Sequence, residues 1–365
     1  MKISRDTISI YDKTDLISVR EQYPDHSFFY INFSISPEVD ISQAIYKLSN
    51  YLDQEGLEIL TGFAFGLENF NFNGKLNKLS AMVLLQHNYL SGCRIQLICT
   101  DSSMVKVIDN TVYPTVKIID HYGSVLIFIS NIHYEESGNY FKQAYSSFKY
   151  LGKTLEDIGL CCNNMVRTWL FLNDILDWYD TLNQARTDFY DDENILDDLI
   201  PASTGIGLSN TRGNSLLINA IAVHNMKNKH IIRIVNSPMQ CDATDYNSSF
   251  SRAVELSLKT SKRLIISGTA SIGSNGETLH NGSIINQIEH TMEVVQSILI
   301  NENYVWNNVV RAIAYFLYPE DEQYFIDYCL KNNIDSSGIL CVGGTICRDE
   351  LLFEIELDAV KALQH

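Results

Sequence analysis

The 365-residue sequence predicts an α/β (α+β) protein built from tandem units, each a mixed β-sheet with helices packed on one face. Three observations carry this. Apolar residues make up 45% and charged residues 19%, with 39 aromatics, the composition of a packed globular chain. Two β-branched runs, VLIFIS at 125–130 and RLIISG at 263–268, are each followed by a stretch with apolar residues at three- and four-residue steps. Finally, the spacing repeats, since Gln143 to Arg167 and Gln287 to Arg311 are both 24 positions.

In chain order, the two runs read as buried strands. The helices that follow carry Phe141, Ala144, Tyr145, Phe148, Leu151, Leu155 and Ile158 in one copy and Ile285, Ile288, Met292, Val295 and Leu299 in the other, each set forming one apolar stripe. NNMVRTWLFL at 163–172 and NNVVRAIAYFL at 307–317 come next. Second helical stretches follow at 178–190 and 321–332, then closing strands SLLINAIAV at 215–223 and ELLFEIELDAV at 350–360. Residues 1–120 carry a weaker version: strand SFFYINFSI at 27–35, helix SQAIYKLSNYLDQEG at 42–56, then strands in LSAMVLLQ and CRIQLIC. This divides the chain into 1–120, a degenerate or unassigned unit; 121–228, the first clear copy; and 229–365, the second. The acidic stretch DDENILDDL at 191–199 is a loop before Pro201, and three units in one chain would form a pseudo-trimer.

With 27 basic against 44 acidic side chains the net charge is −17, which excludes a nucleic-acid partner unless the arginines gather on one face. No apolar run reaches membrane-spanning length and the N-terminus lacks a signal-like apolar core, so a cytoplasmic protein with no membrane partner is expected. Eight cysteines are scattered with no Cys-x-x-Cys pair and read as reduced thiols. The nine histidines form no His-Glu-x-x-His, and no nucleotide or nucleophile-elbow motif occurs. Neither metal nor cofactor is expected.

The closing strands differ in chemistry. Alternation in LLFEIEL puts Leu352, Glu354 and Glu356 on one face and Leu351, Phe353, Ile355 and Leu357 on the other. Alignment of the copies sets Asn219 against Glu354 and Ile221 against Glu356. A carboxyl on a buried strand has its pKa raised by desolvation, which suits Glu354 to general-acid work; the alternative is an edge-strand glutamate in solvent. Cys347, seven residues earlier, is either a thiol turned toward that carboxyl by Gly343 and Gly344 or a small buried hydrophobe. Arg167, Arg186 and Arg348 are candidate carboxylate clamps or members of structural ion pairs. Arg186 shares a helix face with Tyr179, Leu182 and Asn183.

Together VRTWLFLNDI, WYDTLNQARTDFY, PASTGIG, SGTASI and NGSIINQIEHTMEVVQSIL, in this order along about 125–361, resemble the chorismatases, tandem relatives of the Rid (YjgF/UK114) fold. The resemblance implies removal of the enolpyruvyl group of chorismate as pyruvate, without cofactor, with Glu354 as the acid. It implies a small dianionic substrate held by Arg167, Arg186 and Arg348, with Tyr179 alongside. Cys347 resembles the 3-hydroxybenzoate-forming branch, while Ala270 stands at another position that varies between branches; 4-hydroxybenzoate and a dihydrodiol remain alternative products. Two other readings stay open. One is a Rid-type enamine/imine deaminase, weakened because GILCV at 338–342 lacks that group's arginine; the other is a catalytically silent binding protein. Monomer and homo-oligomer are both compatible.

Overall fold

The computed structural model describes all residues except 12–13, 67–80, 87–91, 109–114, 135–138, 197–198, 226–230 and 364–365. Parts of the LSAMVLLQ and DDENILDDL segments therefore lie outside the described residues. The chain forms three mixed sheets of seven, six and six strands.

The first part contains β1 (Lys2–Tyr11), β2 (Thr14–Gln22), β3 (Ser27–Ile35), α1 (Ile41–Gln54), β4 (Leu57–Phe65), β5 (Met82–Gln86) and β6 (Cys93–Asp101). Next come β7 (Val105–Ile108), β8 (Thr115–His121), β9 (Ser124–Ile132), α2 (Tyr140–Asp157), β10 (Met165–Leu172), α3 (Ile175–Asp192), β11 (Ala202–Gly207), β12 (Ser209–Asn210) and β13 (Leu216–Asn225). The last part holds β14 (Ile232–Val235), β15 (Ala253–Ser257), β16 (Ser261–Ala270), α4 (Ile284–Asn301), β17 (Val309–Phe316), α5 (Glu322–Lys331), β18 (Ile339–Gly343) and β19 (Phe353–Ala362). The sheet orders are β1-β2-β3-β6-β4-β5-β12, β11-β10-β13-β9-β8-β7 and β14-β15-β16-β19-β17-β18.

Each sheet buries one face under its own helices. Ile45 and Leu48 of α1 pack on the first, Phe148, Leu151 and Phe189 of α2 and α3 on the second, and Met292, Val295 and Phe325 of α4 and α5 on the third. The opposite faces meet in one shared core, where Phe63 and Phe65 meet Trp169 and Phe171 of the second sheet and Ile313 and Tyr315 of the third. One residue of the expected α4 stripe departs from it: Ile285 is 49% exposed, because it lies in the first turn, and the buried face runs through Gln287, Ile288, Thr291 and Met292 instead.

The register of the repeats follows from the ladders. Phe65 pairs with Arg94, Phe171 with Leu217 and Tyr315 with Glu354; two residues further along each closing strand, Phe63 pairs with Gln96, Trp169 with Asn219 and Ile313 with Glu356. Glu354 therefore corresponds to Leu217 and Glu356 to Asn219, two residues away from the alignment expected from sequence. Matching the strands on polarity misplaces them by one full alternation, whereas the hydrogen-bond partners fix the true register.

These equivalent positions close a ring. Asn219 Nδ2 donates to Thr61 Oγ1 (3.0 Å), Arg311 Nε to Gln96 Oε1 (2.7 Å), and Glu356 pairs with Arg167, so each sheet's closing strand grips the next sheet. Glu356 also accepts from Arg311 Nη2 (2.5 Å), the Trp169 indole (2.8 and 2.9 Å) and the Thr204 hydroxyl (2.9 Å), so its buried charge is fully compensated.

Candidate active site

A cavity of about 130 Å³ opens between the second and third sheets. From the second come Tyr179, Asp180, Asn183 and Arg186 of α3 with Ser203 and Gly205 of β11; from the third come Tyr246, Ser248, Phe250, Arg252, Gly268, Ala270, Ile272, Cys347, Arg348 and Glu354. A wider groove of about 660 Å³ adjoins it and shares Asp180, Asn183 and Tyr246.

Glu354 projects from β19 on the face that the strand turns away from α4 and α5, and it is 5% exposed. Its carboxylate lies against the Cα of Gly268, so close that a Cβ there would sit 2.0 Å from Oε1. No hydrogen bond to it occurs among the described residues. Burial pushes its pKa from the ordinary 4.5 up to about 8, against the opposing charges of Arg167 and Arg252. A carboxylic acid in this state keeps its proton at neutral pH and can donate it.

Three guanidiniums line the same cavity as this acid, with aromatic rings between them. Arg186 and Arg252 stand 5.8 and 5.5 Å from the centre of the Phe250 ring; Arg252 and Arg348 both stand 5.3 Å from that of Tyr246. Arg186, 1% exposed, bonds only neutral groups: Nη2 donates to Asn183 Oδ1 (2.7 Å) and Nη1 approaches Ser203 Oγ (3.4 Å). Arg252 Nε donates to the Cys241 carbonyl (2.9 Å), and its Nη2 is buried without a partner. Arg348 Nη1 donates to the Gly276 carbonyl (2.7 Å). None of the three makes an ion pair with a carboxylate among the described residues, so the structural ion pair that the sequence left open for Arg186 and Arg348 is not formed there. Arg186 and Arg252 are buried, Arg348 half-buried, and cationic groups so placed are suited to an anionic ligand.

Cys347 and Ala270 pack in one small apolar cluster with Ile272, Ile346 and Leu351. Burial pushes the Cys347 thiol up to about 12, with the nearby Glu354 adding to the rise and Arg348 opposing it, so it is a neutral thiol rather than a thiolate. The Tyr179 hydroxyl faces this thiol, and its pKa is raised by burial as well.

Of the residues singled out in the sequence, Glu354, Cys347, Arg186, Tyr179, Arg348 and Ala270 all line the cavity. Arg167 does not. It is fully buried beneath it, its Nη1 donating to the Ile266 carbonyl (2.9 Å) and Nη2 to Thr204 Oγ1 (2.7 Å), with Glu356 as its ion-pair partner. Arg311, its repeat equivalent, is likewise held by Glu356. Arg252, Tyr246 and Phe250 escape sequence reasoning because they lie on a loop with no period; the alternation of aromatic and arginine in FSR is the available signal.

No family model matches the sequence, and no curated protein does. Among solved structures, a chorismatase crystal structure superposes with a TM-score of 0.68 at 16% identity, over 90% of this chain and 98% of that one. The chain therefore has the chorismatase fold, with tandem Rid-like units. Single-unit proteins also align: an Entamoeba histolytica putative endoribonuclease L-PSP (17% identity, TM-score 0.31, 36% of this chain and 99% of that one). A Mycobacterium tuberculosis member of the YjgF/YER057c/UK114 family does so as well (19%, 0.28, 35% and 98%). Among the described residues no helix is long and apolar enough to cross a membrane.

Proposed function

We propose that this protein is a chorismatase that converts chorismate to pyruvate and a hydroxybenzoate, with 3-hydroxybenzoate as the product. The observation that supports this most is the pairing, in one cavity, of a buried carboxyl that holds its proton near neutral pH with three guanidiniums that have no anionic partner among the described residues. Chorismate brings two carboxylates to the guanidiniums and an enol ether to the acid. Glu354 protonates the methylene carbon of the enol ether, which generates an oxocarbenium ion beside the carboxylate that remains. Breaking the bond between the ring carbon and the ether oxygen leaves that oxygen as the pyruvate ketone, and the ring returns one proton to the Glu354 carboxylate as it aromatises to a hydroxybenzoate, so the atoms of chorismate are conserved, whereas the dihydrodiol route consumes one water. Cys347 stands beside the acid as a neutral thiol, suited to guiding the cyclohexadiene portion toward aromatisation rather than to nucleophilic attack as a thiolate.

The test is incubation of purified protein with chorismate, measuring pyruvate and separating the aromatic products by chromatography. Pyruvate with 3-hydroxybenzoate is expected, with a changed product ratio in Cys347→Ala. Pyruvate with the dihydrodiol alone overturns the assigned product and the role of Cys347. Absence of pyruvate overturns the reading, and hydrolysis of an imine is then the activity to assay.

A further inference from the structure

Since Glu354 has no hydrogen bond among the described residues, its place is set by what it rests on, the backbone of Gly268. That backbone is irregular. The β16–β19 register shifts between Ile266 and Thr269, a bulge that removes the amides of Ser267 and Gly268 from the ladder. Both amides find partners elsewhere. Ser267 N donates to the Arg252 carbonyl (3.0 Å), and Gly268 N crosses to the second sheet and donates to Thr204 Oγ1 (3.0 Å). A parallel link runs beside it, with Ser203 N donating to Ser267 Oγ (2.9 Å) and that hydroxyl to the Ser251 carbonyl (2.5 Å).

The Thr204 hydroxyl thus uses its whole capacity: it accepts from Gly268 N and from Arg167 Nη2 (2.7 Å) and donates to Glu356 Oε2 (2.9 Å). It is buried, 2% exposed, and is not among the residues lining the cavity. We propose that Thr204 is a positioning residue for Glu354, acting through the Gly268 bulge and through its hold on Arg167. It ties the surface on which the acid lies to the ring that joins the sheets, and keeps the Arg167 guanidinium turned toward Glu356. Loss of the hydroxyl leaves the Gly268 amide unpaired beside the carboxyl it supports, a change that favours the ionised form of Glu354.

The inference rests on the reading of Glu354 as the acid, and its test has a readout that does not depend on substrate. In full-length protein carrying carboxyl-labelled glutamate, the Glu354 signal is assigned by its loss in Glu354→Gln and titrated by carbon NMR in the parent, Thr204→Ser and Thr204→Val. The expected result is a midpoint at least one pH step lower in Thr204→Val and close to the parent in Thr204→Ser. In the turnover assay, kcat of Thr204→Val is expected to fall about tenfold with KM within twofold. A Glu354 midpoint in folded Thr204→Val equal to that of the parent overturns the proposal whatever the activity. If the valine variant does not fold, Thr204→Ala, with a smaller side chain, is titrated in its place under the same criterion. A protein that releases no pyruvate but shows the shifted midpoint refutes the functional reading and keeps the positioning role.

Discussion

Replacing Glu354 with glutamine should abolish turnover and yet stabilise the protein at alkaline pH. The folded carboxyl binds its proton more tightly than the unfolded one, with a pKa of about 8 against an ordinary 4.5. Its contribution to stability is therefore fully present below 4.5 and is lost as pH rises through 8. At about 1.4 kcal/mol for each pH step, the full span is worth roughly 5 kcal/mol, an upper bound that solvent relaxation will reduce. Glutamine imitates the protonated acid in shape and neutrality and has nothing to titrate. Urea unfolding of parent and Glu354→Gln at pH 5, 7 and 9 reads the difference, and subtraction cancels every other titrating group the two share. The gap should widen in favour of the variant as pH rises, by a few kcal/mol between pH 5 and 9. A gap that stays constant within about 0.5 kcal/mol would refute the claim that burial holds this carboxyl protonated.

Two further outcomes follow from the same cavity. Gly268→Ala places a methyl where the carboxylate lies, so pyruvate release should fall at least about a hundredfold while circular dichroism shows an intact fold. Arg252→Ala removes a guanidinium that makes no ion pair among the described residues, so KM for chorismate should rise about tenfold or more. Unchanged KM would show that the dianion is held elsewhere.

Much of this arrangement is legible in the amino-acid sequence itself. The spacing Gln143–Arg167 and Gln287–Arg311 locates both helix-to-strand passages, since β10 and β17 start at corresponding places with short 3-10 turns at 162–164 and 306–308 before them. The helix-facing side of β19 is equally plain, because Phe353, Ile355 and Leu357 alternate strictly with acids. The first 100 residues are harder to read. The hairpin β1–β2 has polar residues throughout and β4 is buried along nearly its whole length, so neither shows clean alternation. The position that carries arginine in the other two units carries Thr61 here, which hides the equivalence. Arg167 reads as a substrate ligand because its sequence neighbours are apolar; its partner Glu356 lies 189 positions away on another sheet, and no local pattern reports a pair of that kind. Arg252 depends in the same way on long-range geometry, since it acquires its meaning only from Phe250, Tyr246 and the bulge at Ser267.

The ring of equivalent positions has a consequence for how chemistry is allotted within the molecule. Three identical subunits would write every substitution three times, so an acid kept protonated in one cleft would recur in the other two, each adding its own loss of stability as pH rises. A single chain is free of that constraint. At the place equivalent to Glu354 it carries Arg94, paired with Glu322, in one unit and Leu217 in another. Among the described residues the equivalent positions at the other two seams are thereby left to cohesion, and the energetic burden of a buried, proton-holding carboxyl at this position falls on one seam of three.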